Sequence, residues 1–252
     1  MTSPSVGTAV RMIAGMSLRR ARRSHTLWLA LAVAVLLVAS AVVSLLVGGA
    51  GLDFYDDALD VLLRYVVPLV MLLLGSSAVS EEVQAKTITY LFSRPIPRWS
   101  LPLGKYVGAV LVGLVLLLPA TALTYLITMF GEADALLPEA TRLLQGLFAV
   151  ALAVLFFGAV AIAFGTMVTG YSFVAALFFL LIVEVGLSFA PGWIKVIVMT
   201  FHLRIVSGLY HPAAGDPSLP GLLAALIVLL LTGLWLVVAA SWVVSTEYRT
   251  DK

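Results

Sequence analysis

Six stretches of roughly twenty apolar residues constrain this chain more than any other feature. A bilayer's hydrocarbon core is about 30 Å thick and offers no water to backbone amides, so a crossing segment must bond internally and, as a helix, needs about 20 residues. The stretches are 27–47, 59–79, 106–130 (interrupted by Pro119), 143–168, 173–190 and 221–245. They predict an all-α, polytopic membrane protein with six transmembrane helices, forming one transmembrane domain over 1–252. Composition agrees, because 62% of residues are hydrophobic and 11% charged, whereas soluble domains are about 45–50% apolar and about 25% charged. The absence of cysteine excludes disulfides, thiolate metal sites and cysteine nucleophiles. A net charge of +2 supplies no overall field for nucleic acid.

The distribution of cations predicts an orientation, since cytoplasmic loops are enriched in lysine and arginine. Segment 1–26 holds Arg11, Arg19, Arg20, Arg22 and Arg23; segment 80–105 holds Lys86, Arg94, Arg98 and Lys105; the tail holds Arg249 and Lys252. On the other side lie Arg64, Arg142, Lys195 and Arg204, with Asp53, Asp56, Asp57 and Asp60 between the first two spans. Both termini are therefore expected in the cytoplasm. The basic start, apolar run and Ala39-Ser40-Ala41 resemble a signal peptide with its cleavage site, but the run continues to Val47, too long for such a peptide.

Two segments flank the spans without crossing. In the first, Val6, Val10, Ile13 and Ser17 recur on one helical face while arginines occupy the rest, predicting an amphipathic helix in the cytoplasmic interface. The same arginines also serve to set topology and to bind anionic headgroups. In the second, 80–105, Val83, Ile88, Leu91 and Phe92 fall at helical intervals, and Glu82 precedes Lys86 by four residues, a favourable order. Pro95 and Pro97 then stop the helix, because proline lacks an amide donor and disfavours helical geometry before it. A short amphipathic helix with a rigid elbow, exposing Leu91 and Phe92, calls for a partner surface.

The glutamate pair after span two, the run Thr87-Ile88-Thr89-Tyr90-Leu91-Phe92-Ser93-Arg94-Pro95-Ile96-Pro97-Arg98, and Gly104-Lys105-Tyr106 opening span three resemble the permease subunits of type-2 ATP-binding-cassette transporters. Within them, the segment is most similar to the branch containing the copper-maturation permease of nitrous oxide reductase. The six-span layout matches over the whole chain; the sharp motif is about 26 residues. The resemblance implies a dimer with a second permease copy, identical or related. It also implies two ATP-binding-cassette ATPase subunits, docked through an N-terminal connecting helix and a coupling helix in the first cytoplasmic loop. By position, the connecting helix carries Val10, Ile13, Arg19 and Arg20; the coupling segment carries Glu81, Glu82, Lys86, Leu91, Phe92, Arg94, Pro95 and Arg98. Segment 191–220 corresponds to the short outer helices before the last span. The implied place is a bacterial or archaeal inner membrane, and the implied activity is moving a substrate across or out of it.

No Gly-x-x-x-x-Gly-Lys-Ser/Thr occurs, so this chain does not cradle ATP phosphates by that device. No cofactor is expected on the chain itself; ATP and Mg are expected on the partner ATPase, and the chain is read as a non-enzyme.

Glu184 lies within Leu180-Leu181-Ile182-Val183-Glu184-Val185. A charge at mid-bilayer costs about 2.5–3.5 kcal/mol on insertion scales, which makes it either a pathway or gating group or a partner for a neighbouring hydroxyl. Arg64 is expected to pair with Asp60 one turn earlier. Thr121, Thr124 and Thr128 fit either a polar path or helix packing, and Gly158, Ala161 and Gly165 read as close helix contacts. The His202 and His211 spacing matches no metal-ligand pattern. Glu81-Glu82 followed by Lys86 comes near the Glu-Glu-x-x-x-Arg signature of glutamate-dependent membrane proteases. However, lysine replaces arginine, and no histidine falls in a span beside it. A non-transporting membrane scaffold is the other alternative.

Overall fold

The structure is a computed structural model describing residues 6–21, 25–49, 51–84, 99–130, 134, 136–168, 170–189, 192–212 and 217–245. Among the described residues the chain is helical without strands. In order, the helices are α1 (Val6–Ala21), α2 (His25–Val47), α3 (52–84), α4 (Ser100–Thr128), α5 (Ala140–Met167), α6 (Ser172–Gly186), α7 (Met199–Val206) and α8 (Gly221–Ser245). Two of them contain π-helical turns, Leu62–Val66 inside α3 and Leu180–Gly186 at the end of α6.

Five helices are long and apolar enough to cross a membrane: α2, α3 through Leu52–Ser76, α4, α5 and α8. The stretch expected as a fifth crossing is the shorter α6, which widens into its π turn around Glu184 and passes into a 3-10 turn at Leu187–Phe189. At about 1.5 Å per residue, α6 reaches roughly 22 Å, less than the hydrocarbon thickness. The second span begins seven residues before its expected start, because Asp53 and its acidic neighbours belong to the first turns of α3. Acids are favoured there by the exposed amides and dipole of a helix start. Similarly, α4 begins at Ser100, with Pro102 in a first turn that needs no amide from it.

Helix α5 is the axis of the bundle: 72% of its apolar stretch is buried, against 22% for α2 and 28% for α8. It packs against α3, α4 and α8. A Cβ added at Gly75 of α3 would lie 2.7 Å from the Cβ of Ala161, and one at Gly165 would lie 3.0 Å from the Ser76 carbonyl oxygen. The small residues of span four therefore allow close approach, as their spacing suggests. The hydroxyls of Thr121 and Thr124 donate back to Leu117 and Ala120 carbonyls at 2.8 and 2.9 Å, and Thr128 donates to Tyr125 at 3.0 Å. All three are buried. These threonines are buried in helix contacts among the described residues, each bonded back to its own helix.

Contacts along the bundle define two ends. Ile13 of α1 sits on Gly104 at the start of α4, where an added Cβ would come within 2.6 Å of it, and Ser172 donates to the Ser76 carbonyl at 3.1 Å; this is the proximal end. At the distal end, Tyr55 at the start of α3 meets Tyr125 near the end of α4, edge to face at 5.1 Å, and abuts Gly146 at the start of α5. Thus α3, α4 and α5 alternate in direction.

The α3–α5 contact gives a test. Gly75→Leu forces two backbones apart and should destabilise the detergent-solubilised chain by about 1–3 kcal/mol, read as a lowered Tm. Gly233→Leu, where nothing lies within 4 Å, should leave Tm unchanged.

Candidate functional site

The distal end gathers charges that an apolar bundle must neutralise. Asp56, Asp60 and Arg64 follow each other at intervals of four along α3, which places them on one face. Arg64 Nη2 donates to Asp60 Oδ2 at 3.3 Å, the pair that the spacing predicts. The other oxygen of the same carboxylate, Oδ1, lies 2.8 Å from Nε of Arg204, in the last turn of α7. One turn away, Arg142 of α5 is 3.9 Å from Asp56 Oδ2 and donates to the Gly208 carbonyl at 3.2 Å. Carboxylates on α3 thus pair with cations from α3, α5 and α7.

Glu184 holds the opposite end of α7. Its Oε1 accepts the Met199 amide at 3.1 Å, and its Oε2 accepts the Thr200 amide at 3.0 Å and the Thr200 hydroxyl at 2.9 Å. The first amides of a helix have no intrahelical partner, and a carboxylate there also meets the positive end of the dipole. The residue before α7, Val198, offers no side-chain cap, so Glu184 supplies it from another helix. Its side chain is buried, and the π turn around it presents the carboxylate to α7. Of its two expected roles, the structure shows the hydrogen bond to a neighbouring hydroxyl, with two backbone amides added.

The C-terminal end of α7 closes at Gly208, whose φ of +77° favours glycine. The Ser207 amide donates to Leu203 at 2.9 Å and the Leu209 amide to Arg204 at 2.9 Å, taking up the last carbonyls. His202 turns inward, with Nε2 2.9 Å from the Val196 carbonyl, so that nitrogen donates. Burial pushes its imidazole below the usual range, opposed in part by that hydrogen bond. Among the described residues, no three histidine, aspartate or glutamate side chains converge on one point.

The residues expected to dock an ATPase lie at the proximal end. Ile13 is buried and Val10 half-buried against α4, so both seat α1 on the bundle; Arg11, Met12 and Met16 are exposed. Arg19 and Arg20 fall on α1. Glu81 and Glu82 fall in the last turn of α3, continuous with the span. Lys86, Leu91, Phe92, Arg94, Pro95 and Arg98 lie outside the described residues. Sequence reasoning missed the long-range pairs of Arg142 and Arg204. For Arg204, within Leu203-Arg204-Ile205-Val206, the available signal was its apolar setting: a cation there needs a partner.

A family model described as ABC-2 family transporter protein matches residues 18–186. No curated protein matches the chain. The matched stretch includes Asp56, Asp60, Arg64, Arg142 and Glu184, and ends before α7.

Glu184→Ala leaves the Met199 and Thr200 amides without their acceptor, at about 1–3 kcal/mol for each buried unsatisfied group. The Tm of the purified chain should fall accordingly, while Glu184→Gln, which keeps one acceptor oxygen, should lose less. A double-mutant cycle with Asp60→Asn and Arg204→Gln should give a coupling of about 1 kcal/mol, typical of a partly exposed ion pair.

Proposed function

Since the chain belongs to the ABC-2 family of transporter proteins, we propose that it is the membrane half of a motor whose ATP is hydrolysed by a separate polypeptide. Membership makes it a multi-pass membrane subunit of an ABC transporter. What supports a separate engine is the missing phosphate-binding loop, together with a polar, helix-patterned loop between α3 and α4 that carries Leu91 and Phe92.

In this reading the proximal end faces the cytoplasm, supported by eleven of the fifteen lysines and arginines in the segments assigned there. The loop after α3 docks the ATPase through Leu91 and Phe92, with Glu81, Glu82, Lys86, Arg94 and Arg98 around them and Pro95 fixing the elbow. ATP binding closes two ATPase subunits and moves the loop, which joins the end of α3 to the start of α4. Because Ile13 is seated on Gly104, α1 moves with α4. Arg11, Met12 and Met16, exposed on α1, then contribute to the same docking face. A path opens between two permease copies, and the substrate leaves the inner membrane of a bacterium or archaeon. Placement in the copper-maturation branch is part of this proposal and rests on the resemblance of the 80–105 segment alone.

The observation that carries this proposal is family membership without a phosphate-binding loop. Co-expressed with a cognate ATP-binding-cassette ATPase, the chain should co-purify with that ATPase and stimulate its hydrolysis. Changing Leu91 and Phe92 to glutamate should weaken the complex by about 2 kcal/mol or more, the scale of an interface anchor. Unchanged ATPase binding in the double variant would overturn the docking role.

A further inference from the structure

An open apolar groove of about 590 Å³ follows the distal half of α2 and reaches the first turn of α3. Leu36, Ala39, Val43 and Val47 form its α2 wall, and Phe54 of α3 borders it. The Ser40 hydroxyl in that wall donates to the Leu37 carbonyl at 2.6 Å, so it makes no polar demand on an occupant. From Leu36 to Val47 the groove extends about 17 Å at 1.5 Å per residue, close to the depth of one leaflet, half of a hydrocarbon core of about 30 Å. Its end at Val47, Gly49 and Phe54 therefore lies at the headgroup level on the distal side. That end is acidic: Asp53 and Asp57 stand one and three residues from Phe54 on α3, and both are exposed. Asp56 and Asp60 have arginine partners, whereas Asp53 and Asp57 make no ion pair among the described residues. No lysine or arginine occurs between Arg23 and Arg64. The end of α2 and the start of α3 bring opposite dipole ends together, which offset each other and leave two carboxylates uncompensated.

We infer that this groove seats one acyl chain of a phospholipid whose headgroup carries a primary ammonium, the chemistry of phosphatidylethanolamine, with the ammonium on Asp57 and Asp53. Lipid tails are as apolar as the groove walls, so seating a chain adds only van der Waals contact, and selection falls to the headgroup. A primary ammonium brings N–H donors to the carboxylates in charge-assisted bonds. Choline carries the charge without those donors, and phosphatidylglycerol brings only an anionic phosphate, which two carboxylates repel. The same acids disfavour a second copy of this chain as the occupant. An isologous contact through this face sets the acidic ends of both grooves side by side, a like-charge arrangement that opposes association.

The full chain, purified alone, is sufficient for the test, so the outcome is independent of ATPase docking. Native mass spectrometry with phosphatidylethanolamine, phosphatidylcholine and phosphatidylglycerol of equal chain length reads the affinity for the first bound lipid. Phosphatidylethanolamine should bind about fivefold more tightly than phosphatidylglycerol, the scale of an exposed charge contact, with phosphatidylcholine between them. Asp53→Asn combined with Asp57→Asn, at exposed positions without an ion pair among the described residues, should erase the preference. Val43→Trp, which fills the groove from its wall, should remove the tight site for every headgroup. Equal affinity for the three lipids, or a preference that survives either variant, overturns the proposal. The chain has no cysteine of its own, so Val43→Cys also tests the rival occupant: a disulfide formed in high yield between two copies in a bilayer identifies a second chain in the groove and overturns the lipid.

Discussion

One carboxylate, Asp60, is shared by two guanidiniums, and the distal architecture depends on that sharing. Arg64 reaches it from the next turn of its own helix, and Arg204 reaches it from a short helix far along the chain. An eight-residue helix such as α7 is marginal by itself, because nucleating a turn consumes more conformational entropy than a few hydrogen bonds return. It persists here because Met199 to Leu203 and Val206 are buried against the bundle and because both termini are anchored from outside: its first amides by Glu184, and its last turn by Asp60. Arg142 adds a third tether by binding the Gly208 carbonyl just beyond it.

These anchors share a structural origin. Arg64 and Glu184 each sit in a π-helical turn, the only two such turns among the described residues. A π turn inserts a residue into the helical repeat and rotates the helix beyond it, and such turns gather at functional sites. In a chain with so few charges, both turns carry an ionisable group that contacts α7 or its partner. The proximal end uses a different device, the close approach of small residues, at Gly75 against Ala161 and Gly104 against Ile13. The bundle is thus tightly interlocked at one end and electrostatically pinned at the other.

Much of this architecture is legible in the sequence, because hydropathy over twenty residues integrates many weak signals. The ends of α2 and α8 at Val47 and Ser245 match the expected spans, as does the Arg64–Asp60 pair, whose spacing is local. The inward face of α1 at Val10 and Ile13 is also legible from its period. The acidic start of α3 reads as a loop, since averaging counts aspartates against a span although a helix start welcomes them. The end of α6 escapes for the converse reason: Leu180 to Val183 is as apolar as any crossing, and hydropathy does not register a change of helical pitch at Glu184. Long-range pairs stay hidden, because nothing local to Arg204 or Arg142 specifies which acid it meets.

The claim that α7 is held by charges at both ends is tested most directly by hydrogen–deuterium exchange over residues 199–208 in the full chain. In the unaltered protein the Met199 and Thr200 amides should exchange slowly, and Asp60→Asn combined with Glu184→Gln should speed exchange across the segment by about tenfold or more, the scale of about 1–2 kcal/mol, with α5 unaffected. Unchanged exchange in that double variant, or fast exchange in the unaltered protein, would contradict the account.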